Sequence, residues 1–468
     1  MSQAICPFPA LVGDGRKVRT IQGALVPYVN ADNAATTPPL ALVEEKVRQF
    51  LATYGSVHRG SGFNSRVSTE IFSTARQVIL ELVHGDEGRL AVCFTTNTTS
   101  AVNKLRRKLN LRPSDGDRLF LSEFEHSSND LPWRECQPIR IAAAPSAPLD
   151  LDDLSQRLAQ SPAHGRKLVA VTGASNLTGA LTEVAEIAKV THRYGGLLFV
   201  DAAQWVAHRA IHVEGTGQGD HIDFLAFPGH KMYAPYGSGV LIGDRKILAA
   251  TAPDDLGGGT VDFVTPTRFD LTADFFRREN PGTPNAVGAV AMALAGVVLK
   301  DLIGFDAIAR HEQELLDAAG ERWPAIPGLR VLCELDYSAA RKCAILSFVM
   351  EGIDHGLLAA RLSYEFGIGV RHGHLCQFAH VAKLLGLSQR EIAAVRGEVL
   401  AGHGDAMYGV VRASFGIGNR TAEIVHIGDA LEEIGGTPDR NARYVRDAAG
   451  QWQPRGIAPI SGREFFTL

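Results

Sequence analysis

Lys231 lies two residues after the apolar run DFLAFPG (223–229), which has the length and composition of a buried strand. Burying an ammonium group costs free energy unless the group is paired or used covalently, so a purely structural role explains this lysine poorly. Loss of contact with water would lower the pKa of the amine, as an amine that attacks a carbonyl group requires. The position therefore predicts a lysine that forms a Schiff base.

Asp201 stands near the end of a second apolar run, GLLFVDA (196–202), and Gln204 follows three residues later. A carboxylate beside a pyridine nitrogen keeps that nitrogen protonated, so that the ring withdraws electrons from an attached amino acid. A Schiff-base lysine together with such a carboxylate is typical of enzymes that use pyridoxal phosphate (PLP). Taken alone, Asp201 and Lys231 are explained more readily by a surface ion pair on a loop.

The segment FTTNTTSAVNKL (94–105) combines a strand end, a turn rich in threonine and asparagine, and the beginning of a helix. Backbone N–H groups at such a helix N-terminus, together with the hydroxyls of Thr98 and Thr99, suit a phosphate group. Capping of the helix explains the same residues without a ligand.

Six short apolar runs predict the strands that position these residues: 90–96, 117–123, 167–173, 196–202, 223–229 and 239–244. Between them, residues 100–109 and 182–195 have helical spacing. Alternation of helices with strands that are apolar throughout predicts an α/β fold with a mostly parallel sheet. In such sheets ligands bind beyond the carboxyl ends of the strands, which is where Thr98, Asp201 and Lys231 fall.

A chain of 468 residues is too long for one small domain. After an apolar helical stretch (285–303), helical patterns at 311–323 and 356–367 flank a strand-like run at 343–350, which predicts a smaller α+β domain. The predicted division is an N-terminal segment (1–27), a large α/β domain (28–304), a small C-terminal domain (305–435) and a polar tail (436–468).

The composition excludes several classes of protein. A formal net charge of −4 gives no broad basic surface, so nucleic acid is not expected as a partner. Apolar stretches such as LLFVDAA (197–203) are far shorter than the ~20 residues that cross a bilayer, and the N-terminus lacks the pattern of a signal peptide. We therefore expect neither a membrane span nor secretion.

Six cysteines (Cys6, Cys93, Cys136, Cys333, Cys343 and Cys376) are scattered without a CxxC pair. This spacing argues against a zinc site and a disulfide framework, so we expect no metal and a reducing cytoplasm. Cys376 differs from the others because it lies in the polar, histidine-rich sequence RHGHLCQFAH (371–380). It is the candidate nucleophile, and an inert thiol on a loop is the alternative.

Ten segments between residues 28 and 425 resemble, in the same order, the motifs of one enzyme family. They are YVNADNAATTP (28–38), SVHRGSGFNSRVSTEIFSTAR (56–76), FTTNTTSAVN (94–103), SEFEHSSNDLPW (122–133), TGASNLTG (172–179), DAAQ (201–204), GHK (229–231), PGTPN (281–285), VRHGHLC (370–376) and VRASFG (411–416). The chain resembles the class V aminotransferase family of fold-type I PLP enzymes, and within it the cysteine desulfurase and selenocysteine lyase branch. The resemblance implies the PLP-dependent transferase fold, with a large, mostly parallel sheet flanked by helices and a smaller C-terminal α+β domain.

The resemblance also implies PLP as the cofactor and assigns eight residues to it. Lys231 would bind PLP as a Schiff base, Asp201 would pair with the pyridine nitrogen, and Gln204 would hydrogen-bond to the ring hydroxyl oxygen. His126 would stack on the face of the ring. The phosphate would be bound by Thr98, Thr99, His230 and, across a homodimer interface, Thr283.

The substrate residues and the reaction follow from the same resemblance. Asn176 and Arg412 would hold the substrate carboxylate, for which an arginine fork is well suited, with Arg371 and His58 as further site residues. Cys376, with His372, His374 and Arg371 favouring its thiolate, would take sulfur from L-cysteine to leave alanine and an enzyme persulfide. The alternative is another PLP reaction that does not use Cys376: a selenocysteine lyase, C–S lyase, aminotransferase or epimerase. A binding subunit without catalysis is disfavoured because Lys231 is retained.

Several positions depart from the family pattern: Asn97 replaces a glycine of the phosphate loop, Ser100 a glutamate, Ser127 the second histidine of "EHH", and Pro228 the serine before "GHK". Residues 376 and 412 are also separated by 36 positions (412 − 376), roughly twenty more than is typical of the family. The intervening stretch 387–400 predicts an added amphipathic helix. A sulfur-acceptor protein is a possible partner, but the sequence does not identify it.

Overall fold

The computed structural model describes residues 8–58, 60–144, 149–332, 337–447, 450–457 and 462–466. Within these residues the strands are β1 (Lys17–Arg19), β2 (Leu25–Pro27), β3 (Val29–Asn30), β4 (Leu90–Thr95), β5 (Arg118–Ser122), β6 (Ile139–Ile141), β7 (Lys167–Thr172), β8 (Leu197–Asp201), β9 (Phe224–Pro228), β10 (Gly239–Asp244), β11 (Val261–Val264), β12 (Phe269–Leu271), β13 (Leu329–Leu332), β14 (Ile345–Met350), β15 (Ile368–Gly369), β16 (Arg371–Gly373), β17 (Val410–Ser414), β18 (Tyr444–Arg446) and β19 (Trp452–Pro454). The helices are α1 (Ala41–Ala52), α2 (Phe63–Leu82), α3 (Thr98–Leu109), α4 (Ser127–Asp130), α5 (Leu151–Ala159), α6 (Val184–Arg193), α7 (Arg245–Ala249), α8 (Phe275–Arg278), α9 (Ala286–Val297), α10 (Phe305–Arg322), α11 (His355–Phe366), α12 (Phe378–Leu385), α13 (Gln389–Leu400) and α14 (Thr421–Gly436).

A seven-stranded sheet forms the centre of the fold, in the order β4-β10-β9-β8-β7-β5-β6. Strand β10 is antiparallel to both of its neighbours, and the remaining pairs along the sheet are parallel. Strands β7 and β9 are buried along their whole length, because helices cover both faces of the sheet. The six predicted strands and the mostly parallel sheet are therefore confirmed.

Helix α9 is strongly apolar, and we therefore considered whether it could span a membrane. With its π-helical continuation to Ile303 it satisfies the length and composition of a membrane span, but 61% of that window is buried inside the protein. It packs against α1 and α2, and Gly296 lets Leu82 of α2 approach its backbone closely. These contacts account for its apolar character as a core helix.

A second, four-stranded antiparallel sheet has the order β13-β14-β17-β16. Its core includes Trp323, Phe348 and Leu431, which are fully buried. Strand β3, near the start of the predicted large domain, pairs with β15 and thus packs on this second core. The boundaries of the two domains stay a prediction.

Helices α12 and α13 occupy the additional stretch between residues 376 and 412. Ser388 and Glu391 form a reciprocal capping box at the beginning of α13, as the sequence Ser-Gln-Arg-Glu favours. The predicted helix is confirmed, but no residue of α13 is buried, so its apolar side chains do not form part of a core. In the polar tail, β18 and β19 form a hairpin, and Trp452 of this hairpin donates to Asp354 at 2.8 Å.

Candidate active site

A cavity of about 330 Å³ lies at the carboxyl edge of the central sheet. It is lined by Ala34, Asn97, Ser128, Thr172, Pro228 and Leu375 among others. Eleven of the thirteen predicted site residues also line it: Thr98, Thr99, His126, Asn176, Asp201, Gln204, His230, Lys231, Arg371, Cys376 and Arg412. Side chains from both sheets meet here, so the fold brings together residues that are up to about three hundred positions apart in the chain.

Lys231 ends a single 3₁₀ turn, Gly229–Lys231, that directly follows β9. Burial lowers the pKa of Lys231 to about 8, against the opposing effect of Asp201. The predicted desolvation of this amine is therefore present in the structure. A lysine with this pKa is partly neutral near pH 7 and can act as a nucleophile or a base.

Asp201 is the last residue of β8 and is 4% exposed. Burial raises the pKa of its carboxyl group, while the N–H of Ala203, which donates to Oδ1 at 2.9 Å, lowers it. A protonated pyridine nitrogen at this edge of the cavity would stabilise the buried carboxylate. The amide of Gln204 donates to the carbonyl of Ala34, which fixes the orientation of that side chain.

The beginning of α3 has the donors that a phosphate requires. The hydroxyl of Thr98 is buried and has no hydrogen-bond partner among the described residues, so this hydroxyl is available to bind a ligand. The hydroxyl groups of Thr99 and Ser128 form a hydrogen bond with each other at 2.7 Å. Asn97, the N-cap, has an extended φ of −171°, which any residue adopts, so replacing the family glycine imposes no backbone strain here. These residues fit the phosphate of PLP.

His126 and His230 are both neutral near pH 7. Burial, reinforced by the charge of Lys231, lowers the pKa of each to about 4. His126 Nδ1 accepts the N–H of Ser128 at 3.1 Å, so the proton of the neutral ring is on Nε2. A neutral, fixed imidazole suits stacking on an aromatic ring.

Glu125, which precedes His126, was not singled out by sequence reasoning. Its buried carboxyl group accepts the backbone N–H of Thr172 at 2.9 Å and the amide of Asn129 at 2.8 Å. Burial raises the pKa of this group to about 8. Glu125 therefore ties the His126 segment to the end of β7.

Arg412 lies on β17 and points its guanidinium at the segment that opens the large domain. Nη1 donates to the carbonyl of Asn176 at 2.9 Å, and Nη2 donates to Asp32 Oδ1 at 2.8 Å. Arg371 Nη1 is 3.9 Å from the other oxygen of Asp32. Asp32 therefore balances part of the positive charge at the predicted carboxylate site, a role that the sequence alone does not reveal.

Cys376 lies on the rim of the cavity and is exposed. Its sulfur is near enough to Lys231 and Arg412 to influence the pKa of both side chains. The side-chain amide of Asn176, predicted to bind substrate, donates to the carbonyl of Leu375 at 3.0 Å and so holds this segment.

The predicted effect of His372, His374 and Arg371 on the thiolate stays a prediction. Burial lowers the pKa of both His372 and His374. His372 pairs with His355 at 3.1 Å between their Nδ1 atoms, and His374 stacks on Phe378 with the ring centroids 3.7 Å apart. Lys231, Arg371 and Arg412 line the same cavity as Cys376.

Two predicted site residues do not reach this cavity. The ring of His58 packs edge-on against Phe72 and Phe276, with centroids 5.6 Å apart in each case. Thr283 is exposed on the surface of the single chain, next to residues Pro284 and Asn285, which line a neighbouring cavity.

The fold-type I class of PLP-dependent enzymes has a lysine, an acidic residue and a phosphate-binding turn at the carboxyl edge of its central sheet, as this protein does. Residues 29–427 match the family described as Aminotransferase class-V, and the chain belongs to that family. Its members use PLP, and the predicted family and fold are confirmed.

Several relatives and structural neighbours are named as cysteine desulfurases or probable cysteine desulfurases. A probable cysteine desulfurase of Halalkalibacterium halodurans is 32% identical over 361 residues, covering 75% of this chain and 84% of the relative. A cysteine desulfurase of Dickeya dadantii is 31% identical over 355 residues, covering 75% and 83%. The apo cysteine desulfurase from Thermococcus onnurineus NA1 has a TM-score of 0.73 at 27% identity, covering 87% of this chain and 95% of that one. The Escherichia coli cysteine desulfurase CsdA, as the S-sulfonic acid, has a TM-score of 0.70 at 26% identity, covering 87% and 94%.

Proposed function

We propose that the protein is a PLP-dependent cysteine desulfurase that converts L-cysteine to L-alanine and leaves a persulfide on Cys376. The observation that carries this proposal is the placement of Cys376 on the same cavity as Lys231 and Arg412. A transaminase or an epimerase requires the lysine and the arginine, but it has no use for a thiol on this rim. The relatives named cysteine desulfurases support the same conclusion.

Different residues of the cavity have different roles in the proposed reaction. PLP, when bound, supplies a ring that withdraws electrons from the α-carbon of the substrate. Arg412 binds the substrate carboxylate, while Lys231 holds the cofactor before substrate arrives and then carries protons to and from the α-carbon. The partly neutral amine of Lys231 suits both roles.

Cys376 completes the reaction as the sulfur nucleophile. Its thiolate attacks the sulfur of the substrate, so that an S–S bond forms as the C–S bond breaks. The electron pair of the C–S bond passes to carbon, which takes up a proton to give alanine. The net change transfers one sulfur atom from cysteine to Cys376, and a thiol acceptor removes it afterwards.

The decisive experiment measures products from L-cysteine with the PLP-loaded enzyme and dithiothreitol. We expect alanine and sulfide in equal amounts, and loss of both in Cys376→Ala. Cys136→Ala is the matched control, because Cys136 is a nearly buried thiol that does not line the cavity. Alanine formation by Cys376→Ala at the wild-type rate would show that the persulfide mechanism is wrong. Pyruvate as the product would identify a C–S lyase, and amination of a keto acid an aminotransferase.

We further propose that the enzyme is a homodimer of the reducing cytoplasm. An exposed hairpin supports the dimer: in β11 and β12, Phe263, Val264 and Phe269 are each more than half exposed, which is unusual for large apolar side chains in a cluster. Thr283, which the family resemblance places at a phosphate across the interface, is also exposed. Light scattering of the purified protein tests this, with a monomer as the contrary result. Cys93, Cys136, Cys343 and Cys376 are all free thiols, which suits a reducing compartment, whereas Cys6 and Cys333 lie outside the described residues.

A further inference from the structure

The backbone at Cys376 is held in a conformation that side chains disfavour. Leu375 has φ of 51° and Cys376 has φ of 57°, so two successive residues with a Cβ lie in the left-handed region. Such residues persist there only when the surrounding structure determines them. The contacts that fix this segment therefore decide where the thiol of Cys376 points.

Ser127 makes two of these contacts. Its backbone N–H donates to the carbonyl of Cys376 at 2.9 Å, and its hydroxyl donates to the same oxygen at 3.0 Å. Asn176 holds the carbonyl of Leu375, and Gln377 donates to the carbonyl of Phe124 at 3.1 Å. Of these groups, the Ser127 hydroxyl acts directly on Cys376 and can be removed without changing the backbone.

Cys376, whose carbonyl Ser127 binds, lies at a boundary between two spaces. Cys376 lines the active-site cavity, and it lines a second groove on the outer side that is bounded by Ser127, Phe378 and Ile392. The bonded carbonyl of Cys376 is thus at the wall that separates the cavity from the groove. A segment that receives sulfur in the cavity and delivers it to an acceptor outside has to change its position at this wall.

We propose that Ser127 is a positioning residue whose hydroxyl holds the Cys376 segment in the conformation that places the thiol at the active-site cavity. This inference rests on the proposed function, in which Cys376 is the nucleophile. Loss of the hydroxyl bond increases the fraction of time that the segment leaves the cavity. Ser127 does not line the active-site cavity, so substrate binding is not expected to change.

The test compares Ser127→Ala with Ser127→Thr, which retains a hydroxyl, and with Ser155→Ala, a serine whose hydroxyl pairs with Tyr194 away from the cavity. Amide hydrogen exchange of the peptide that covers residues 372–380 is measured by mass spectrometry on the PLP-loaded enzyme without substrate. One lost neutral hydrogen bond corresponds to exchange that is roughly 3- to 10-fold faster in Ser127→Ala, with Ser127→Thr and Ser155→Ala close to wild type. In turnover, kcat of Ser127→Ala falls in proportion to the fraction of enzyme whose segment has left the cavity, and by no more than this factor, while KM for L-cysteine is unchanged.

The outcomes separate this inference from the proposed function. Wild-type exchange in Ser127→Ala overturns the positioning role, whatever the activity. Equally faster exchange in Ser127→Thr overturns it as well, because the hydroxyl would then not be the group that holds the segment. Failure of the desulfurase proposal shows itself differently, as alanine formation that persists in Cys376→Ala. Circular dichroism of each variant verifies that the fold is retained.

Discussion

Arg412 and Asp32 form a largely buried ion pair at the wall of the cavity, with Nη2 of the arginine donating to Oδ1 at 2.8 Å. Arg412 is 2% exposed, so its charge is compensated mainly by Asp32 and by the carbonyl of Asn176. The pair also joins β17 of the small sheet to the segment that follows β3. The arginine predicted to bind the substrate carboxylate is thus oriented before substrate arrives.

Replacing Asp32 with Asn is expected to destabilise the protein and to make its stability depend on anions. The variant keeps an acceptor for Arg412 but leaves the charge of a buried guanidinium uncompensated, at a cost of about 2 kcal/mol. Thermal unfolding should therefore begin at a lower temperature than in the wild type. Addition of L-alanine should raise the melting temperature of the variant by more than it raises that of the wild type. Equal melting temperatures in the two proteins would show that Arg412 does not depend on Asp32.

The part of the site that could be predicted from the sequence consists of residues that lie at the ends of strands. Lys231 and Asp201 each follow a continuous apolar run, and the positions at which parallel strands end meet at one edge of a sheet. Residues that follow strand ends in this way can be placed from the sequence alone, as Thr98 was.

The remaining features depend on contacts between distant segments. Ser127 and Cys376 are 249 positions apart, and no local pattern shows that the hydroxyl of one meets the carbonyl of the other. The same holds for Asp32 and Arg412, which are 380 positions apart. For His372 the sequence and the structure differ in the other direction. Its nearness to Cys376 in sequence suggests an interaction, but its ring contacts His355.

The pKa of Lys231, about 8, predicts how the apoenzyme takes up its cofactor. The amine attacks the aldehyde of PLP only when neutral, so the rate of covalent attachment should rise with pH and level off above about 8. At pH 7 the rate should exceed that of an ordinary lysine, whose pKa is about 10.4, by roughly 200-fold. Stopped-flow absorbance from pH 6 to 10 measures this, with Lys231→Arg as the variant that should show no attachment. A rate that continues to rise up to pH 10 would contradict the assigned pKa.

Thr98→Val should weaken PLP binding while leaving the apoenzyme as stable as the wild type or slightly more so. The buried hydroxyl has no partner among the described residues, so removing it from the apoenzyme costs no hydrogen bond. A hydrogen bond to a charged phosphate contributes about 2 kcal/mol, which corresponds to a roughly 30-fold rise in Kd. Equilibrium dialysis of the apoenzyme with PLP measures the affinity, and Thr98→Ser, which keeps the hydroxyl, is the control. Unchanged affinity in the valine variant would remove Thr98 from the phosphate site.

Substitutions in α13 are expected to affect neither stability nor the reaction with a small thiol. Because no residue of this helix is buried, alanine at Ile392, Val395 or Val399 should change the free energy of unfolding by less than about 0.5 kcal/mol each. Leu362 of α11 is fully buried, and its replacement by alanine should cost about 3 kcal/mol, which makes it the contrasting variant. Alanine formation from L-cysteine with dithiothreitol as the acceptor should remain at the wild-type rate in the triple variant, since these side chains do not line the active-site cavity. A large loss of stability or of alanine formation in that variant would mean that α13 packs against the catalytic core rather than standing on the surface beside it.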